Sequence, residues 1–337
     1  MKAWMAISAA MLVGVGGPGS ERVLPLPLYA AGQVADQAAT VLAGMRQALG
    51  GAKVEQVKSL TLEGPFRREM GQRQIEGTIV LTMQGPDRMH KSEETEFPGG
   101  MSVERIQALA GDTAWMDMQN RGGGGGMQFM MRNGPPGAAD ADPAAAEKRM
   151  AMMLRGEMQR WMLALLASPE GEVTYAGVAE SPDGKADTLE MKDARGQTLR
   201  LFVDQTTHLP LMLAYQEVRP RMMMRGGPGG RGPGGGRGAG GGPGGAAGAG
   251  APGAAGAGAP GAGQGRPSPE EMRQRMESMP PPAPSAMQMR FDDYASVDGV
   301  KLPKRISLSV DGAPTEEWTL EKIKVNPSIK ADLFEKK

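Results

Sequence analysis

The sequence has no cysteine and only two histidines, His90 and His208, which lie far apart. Without cysteine there is no disulfide, no thiol nucleophile, no thiolate zinc or iron–sulfur site and no thiol to carry a lipid anchor. Two separated histidines leave no His-rich metal cage. Aromatic residues make up 4% of the chain, so the core must be aliphatic, with some of the 28 methionines as filler. Neither charge sign predominates. The 38 acidic and 38 basic residues balance to zero, which argues against bulk attraction to nucleic acid. The Gly-x-Ser-x-Gly and His-Glu-x-x-His patterns are missing. Gly122–Gly126 is followed by Met127-Gln128 where a phosphate loop would need Gly-Lys-Ser/Thr. Nothing here points to an enzyme, and neither a cofactor nor a metal is expected.

Glycine is abundant, with 51 residues, but it is unevenly spread. Between 226 and 265, 22 of the 40 residues are Gly and most others are Ala or Pro. Such a stretch buries too little apolar surface to offset its chain entropy. GAAGAGAP occurs twice in succession, at 245–252 and 253–260, a period that rules out collagen. Arg221, Arg225, Arg231 and Arg237 sit among glycines as in RNA-binding segments. However, no aromatic residue interleaves them, so a flexible linker is the expectation. A short charged helix is expected over 268–279, before Pro280–Pro282. The N-terminus has Lys2, an apolar run from Ala3 to Val15 and then small residues and prolines as far as Ala30 and Ala31. These are features of a secretory signal peptide, and the apolar run is too short to span a bilayer. The expected map is a signal peptide at 1–30 and one domain at 33–337. A Gly-rich loop at 120–143 and a disordered Gly/Ala/Pro-rich insert at 220–285 interrupt that domain.

Two helices are expected in the remainder. Val34, Ala38, Val41, Leu42, Met45 and Leu49 share one helical face, and Gly50-Gly51 ends that helix. From Pro143 to about Ala167 a second stripe runs through Met150, Met153, Leu154, Met158, Trp161, Met162, Leu165 and Leu166, with Asp142 as the cap. Elsewhere the period is two, as in Leu60-x-Leu62, Ile79-x-Leu81-x-Met83, Leu199-x-Leu201-x-Val203 and Ile306-x-Leu308-x-Val310. Turn pairs such as Asp298-Gly299 and Asp311-Gly312 keep the connections short, which makes neighbours antiparallel. Ten or eleven such strands are expected. The class is therefore mainly β (α+β), with a large curved antiparallel sheet or incomplete barrel lidded by two helices.

Several stretches then resemble a known group. Val57 to Gly64 (VKSLTLEG) after Ala48 to Gly51, and Leu189 to Tyr215 with a corner at Asp204, Thr207 and Pro210, are two of them. Phe291 to Tyr294, Val297 to Pro303, Val325 to Pro327 and Leu333-Phe334 are others. Together they resemble the LolA/LolB-like superfamily of periplasmic lipoprotein-sorting proteins. The resemblance implies an incomplete barrel whose helices lid a concave apolar face, where acyl chains of lipids or lipoproteins bind. It implies an exported, soluble, carrier-like protein without a transmembrane anchor. Envelope proteins are further candidate partners. A regulatory or scaffolding module on the same fold, working through protein contacts, is the other function considered.

The candidate lining follows. Met150, Met153, Leu154, Met158, Trp161, Met162 and Leu165 of the second helix, with Trp115, would face an acyl chain. The same stripe is equally what an ordinary core helix shows. Met127, Phe129, Met130 and Met131 suit a flap over such a cleft. His90, and Glu93, Glu94 and Glu96 in the strand DRMHKSEETEF, are expected on an exposed polar strand. His208 is expected to bond within its own turn.

Overall fold

The computed structural model describes residues 28–71, 73–97, 100–121, 142–181, 184–218 and 283–336. The signal region through residue 27, the flap methionines, the Arg-Gly stretch and the charged segment at 268–279 lie outside them. Helix α1 spans Leu28–Leu49, so Ala30 and Ala31 fall inside its first turns, and a short α2 follows at Ala52–Glu55. Five strands come next: β1 Ser59–Met70, β2 Arg73–Gln84, β3 Arg88–Phe97, β4 Met101–Ala110 and β5 Thr113–Arg121. Helix α3 is Pro143–Leu166. Then come β6 Val173–Ser181, β7 Gly184–Lys192, β8 Thr198–Asp204 and β9 Pro210–Glu217. The last strands are β10 Ser285–Val297, β11 Val300–Val310, β12 Ala313–Thr319 and β13 Lys322–Val325, before a 3-10 turn at Ala331–Phe334.

Local chemistry explains the joints. Asp142 Oδ1 accepts the Ala144 amide at 3.0 Å, capping α3 as its sequence suggests. Asp298-Gly299 and Asp311-Gly312 take positive φ at both residues. That is the mirror-image turn whose twist suits a hairpin. Asp204 Oδ1 accepts from the Thr206 and Thr207 amides and from the Thr207 hydroxyl. The His208 amide donates to the Asp204 carbonyl at 2.8 Å, closing the expected corner.

The thirteen strands of the described residues form one antiparallel sheet, more than the ten or eleven expected. Its order is β5-β4-β3-β2-β1-β12-β11-β10-β9-β8-β7-β6, with β13 also on β1. Part of the excess arises because the last long strand breaks at Leu320–Glu321. β1 pairs with β12 at Phe66 to Arg68 and with β13 at Leu60 to Glu63. Gly64 sits at the break, where a Cβ would lie 1.9 Å from the Thr319 carbonyl oxygen. No side chain fits there.

The sheet is open, and its two edges, β5 and β6, are the strands that α3 connects in sequence. It is also curved. Glu157 of α3 pairs with Lys91 on β3, while Arg160, one turn along, lies over Tyr215 on β9. β3 and β9 are six inter-strand steps apart, which is about 29 Å on a flat sheet. Two residues about 4.5 Å apart along a helix axis can reach both strands only if the sheet wraps around the helix. The concave face therefore forms a trough with α3 lying in it. Leu60, Leu62, Phe66, Ile79, Leu81, Leu189, Leu201, Leu213, Met289 and Ile306 point inward and are buried, together with Met45 and Leu49 of α1. These are the inward phases that the period-two pattern gives.

Candidate functional site

Seven of the eight sequence-predicted lining residues lie together on α3. Leu154, Met158, Trp161 and Leu165 are fully buried in the central core, and Met150, Met153 and Met162 pack half-buried against it. Trp161 stacks on Trp318 of β12, with ring centroids 5.2 Å apart. Trp115 does not join them. It shares a register row with Ala108 and His90, which alternates with the inward row of Ala114, Leu109 and Met89. Its ring is on the outer face, edge-on to His90 at 6.4 Å, and its Nε1 donates to the Phe334 carbonyl at 3.0 Å. The 3-10 turn, with buried Phe334, covers the sheet there. Sequence alone does not separate the two faces of β5, because Trp115 and Ala114 are adjacent and both apolar.

A second correction concerns β3. Glu93 was expected on an exposed strand, yet only 5% of it is accessible. Lys91 and Glu93 share the inward phase of Met89. The register places Lys91 beside Leu81 and Glu93 beside Ile79, both fully buried. A chain of charges results. The Arg68 guanidinium donates from Nε to Glu316 at 2.7 Å and from Nη2 to Glu93 at 3.0 Å. Lys91 Nζ lies 3.7 Å from Glu93 and 2.7 Å from Glu157 of α3. The Trp318 indole donates to Glu316. Arg105 of β4 is the register partner of Glu93, and its Nε is buried without a hydrogen-bond partner. Only Glu157 belongs to the helix; the other members belong to the sheet.

Burial disfavours charge on each of these groups, but their partners outweigh it. Burial alone would lower the Lys91 pKa; Glu157 and Glu93 raise it above its ordinary value instead. Burial alone would raise Glu93 and Glu157. Lys91 and Arg68 pull Glu93 below the usual range, and Lys91 and Arg160 do the same to Glu157. All three are therefore charged at neutral pH.

On the other wall α3 is held differently. Arg160 lies 3.6 Å from Asp193 and stacks over Tyr215 at 4.3 Å. Gln159 donates to Glu170 and accepts the Ala194 amide at 2.6 Å. Gly156 meets the Asp193 carboxylate so closely that a Cβ would lie 2.9 Å from it. The helix ends at Ala167, in a left-handed conformation, and the Ala167 carbonyl accepts from Arg46 of α1 at 3.1 Å. The C-terminal half of α3 is thus anchored to the β7–β9 wall. Toward β3–β5 its polar ties are Lys91–Glu157 and the bonds of Arg155 to the Gly111 carbonyl and Asp112.

Among the described residues two cavities lie on the outer face. One of about 100 Å³ is lined by Phe202, Met212 and Arg290, which alternate with inward Leu201, Leu213 and Met289. The other, of about 350 Å³, is lined by His90, Trp115 and Leu333. Among the described residues there is no cluster of three or more His, Asp or Glu able to hold a metal ion, and no helix long and apolar enough to cross a membrane.

No protein-family model and no curated protein matches the chain. Solved structures do. A LolA superfamily protein from Nitrosomonas europaea is 10% identical, over 89% of this chain and 97% of that one, with a TM-score of 0.44. A DUF1329 family protein from Desulfovibrio piger is 9% identical over 90% and 97%, with a TM-score of 0.41. A putative outer membrane lipoprotein-sorting protein domain from Vibrio parahaemolyticus is 8% identical over 89% and 97%, also at 0.41.

Proposed function

We propose that this protein is a binding protein that holds the acyl chain of a lipid or lipoprotein between the concave sheet and α3, and that it works outside the cytoplasm. One observation carries this reading. The apolar concave face is covered by helices, α3 together with part of α1, and not by a second sheet, and α3 joins the two free sheet edges in sequence. A second sheet would seal such a face permanently. A helix anchored on the β7–β9 wall and tied to the other by Lys91, Gly111 and Asp112 can part from that wall. The seven α3 residues named above would then line the opened trough. The flexible thioethers of the four methionines among them suit a ligand of variable shape. Burial of apolar surface is worth roughly 0.8 kcal/mol per CH₂. A ten-carbon segment thus contributes on the order of 8 kcal/mol toward the cost of moving α3.

Native mass spectrometry of the full chain, purified from the envelope of cells that produce it, tests the reading. Bound lipid is the expected result, and titration with a fluorescent fatty-acyl probe should saturate at one site. An empty protein that also ignores the probe would overturn it.

A further inference from the structure

The charge chain across the trough does not balance once α3 is taken away. With the helix in place, Arg68, Lys91 and Arg105 face Glu93, Glu316 and Glu157. When α3 parts from the β3–β5 wall, Glu157 leaves with it, and three cations face two carboxylates. The deficit is localised. Arg68 keeps both its acceptors, Glu93 and Glu316. Lys91 loses the carboxylate at 2.7 Å and retains Glu93 at 3.7 Å, beyond hydrogen-bonding reach. Arg105 already has a buried Nε without an acceptor, on the neighbouring strand and in the same inward phase. The opposite wall shows no such deficit. Asp193 there keeps Arg195 and accepts the Arg195 and Gln197 amides at 2.9 Å.

An ammonium left with one carboxylate at 3.7 Å and no hydrogen-bonded one in an apolar trough is costly, so a neutral ligand would have to open α3 against that cost. A ligand carrying its own anionic oxygens would not.

We infer that the ligand is an anionic amphiphile, whose phosphate or carboxylate headgroup takes the place of the Glu157 carboxylate on Lys91 and Arg105 when α3 parts from the β3–β5 wall. Glu157 is then a built-in stand-in for the headgroup. The inference rests on the acyl-chain reading above and adds the headgroup chemistry to it. A phosphate, with three acceptor oxygens, can serve Lys91 and Arg105 together, whereas a carboxylate serves them with two.

The test is calorimetric titration of the full chain with three twelve-carbon probes below their micellar concentrations: dodecyl phosphate, dodecanoate and neutral monododecanoylglycerol. Both anions should bind at least about tenfold more tightly than the neutral probe, as expected for a charge-assisted contact in a buried site. The variant Lys91→Met/Glu157→Met removes both members of the 2.7 Å pair together and should fold, as a thermal melt will check. It should bind the neutral probe at least as well as wild type and lose most of the preference for anions. Dodecyl phosphate ahead of dodecanoate would mark a phosphate headgroup, and the reverse order a carboxylate; either supports the inference. Equal binding of neutral and anionic probes by wild type overturns it and leaves the acyl-chain reading standing, as does a preference that persists undiminished in the double variant. If none of the three probes binds, the acyl-chain reading falls and this inference with it.

Discussion

The two walls of the trough differ in where they place charge. From β7 to β11 the inward row Leu189, Leu201, Leu213, Met289 and Leu308 is entirely apolar. Further on, the inward phase includes Glu316 on β12, Arg68 on β1 and Glu93 and Lys91 on β3, with apolar Ile79 and Leu81 of β2 between them. The same helix packs on both. Apolar contact is indifferent to small displacements and gains stability from area. Ion pairs under a helix set position strongly but are worth little unless every partner is present. The apolar rows therefore hold the structure together, and the charges on β3 seat α3 on that side as Arg160–Asp193 does on the other.

The largest test breaks the charged wall asymmetrically. Lys91→Met leaves Glu157 buried without its hydrogen-bonded cation and should cost about 3–5 kcal/mol in chemical denaturation. Adding Glu157→Met should return stability to wild-type level or above, because a buried ion pair replaced by apolar groups of similar volume is often neutral or better. A double variant no more stable than the single would show that the pair is not the source of the loss. On the apolar wall, Leu201→Ala should cost about 2–5 kcal/mol through lost burial and a cavity. No second substitution at Lys91 or Glu157 should relieve that loss.

Acid provides a smaller contrast. Glu93 and Glu157 are held below their ordinary value of 4.5. Their contribution is complete above that value and is lost as pH falls through the lowered values. Lys91 is held above 10.5, so its contribution is complete below that value and disappears only as pH rises through the raised one. Stability should thus fall on the acid side of about 4.5 in wild type, and fall less in the Lys91→Met/Glu157→Met variant. The smallest effect is expected outside the trough. Arg67 and Glu76 form a solvent-exposed pair at 3.2 Å, and Arg67→Ala should change stability by less than about 1 kcal/mol.

Much of the fold is legible in the sequence, because period-two and period-3.6 patterns report directly on burial. The alternation Leu199-x-Leu201-x-Val203 and the stripe from Met150 to Leu166 name their own faces. The Asp142 cap and the Asp-Gly turns name their own ends. The charged wall is not legible in the same way. Lys91 and Glu93 lie inward only because β3 is registered against Leu81 and Ile79. That is a long-range fact, and a strand written Met-His-Lys-Ser-Glu-Glu-Thr shows a single apolar residue to set its phase. The one local clue is that Met89, Lys91, Glu93 and Thr95 share a parity. Trp115 illustrates the converse. Its size suggests an inner wall, yet the C-terminal turn supplies an outer cover through Phe334 that no local pattern reveals.

The central claim is that α3 is seated by its charged contacts and leaves the β3–β5 wall when an anionic amphiphile enters. The absence of native cysteine makes this directly measurable. Spin labels at Met152→Cys on the exposed side of α3 and Glu96→Cys on β3 report their separation by pulsed dipolar spectroscopy. Saturating dodecyl phosphate should lengthen or broaden that distance distribution, and the labelled Glu157→Gln variant should already be shifted part of the way without ligand. An unchanged distribution, with calorimetry showing the probe bound, would contradict the claim.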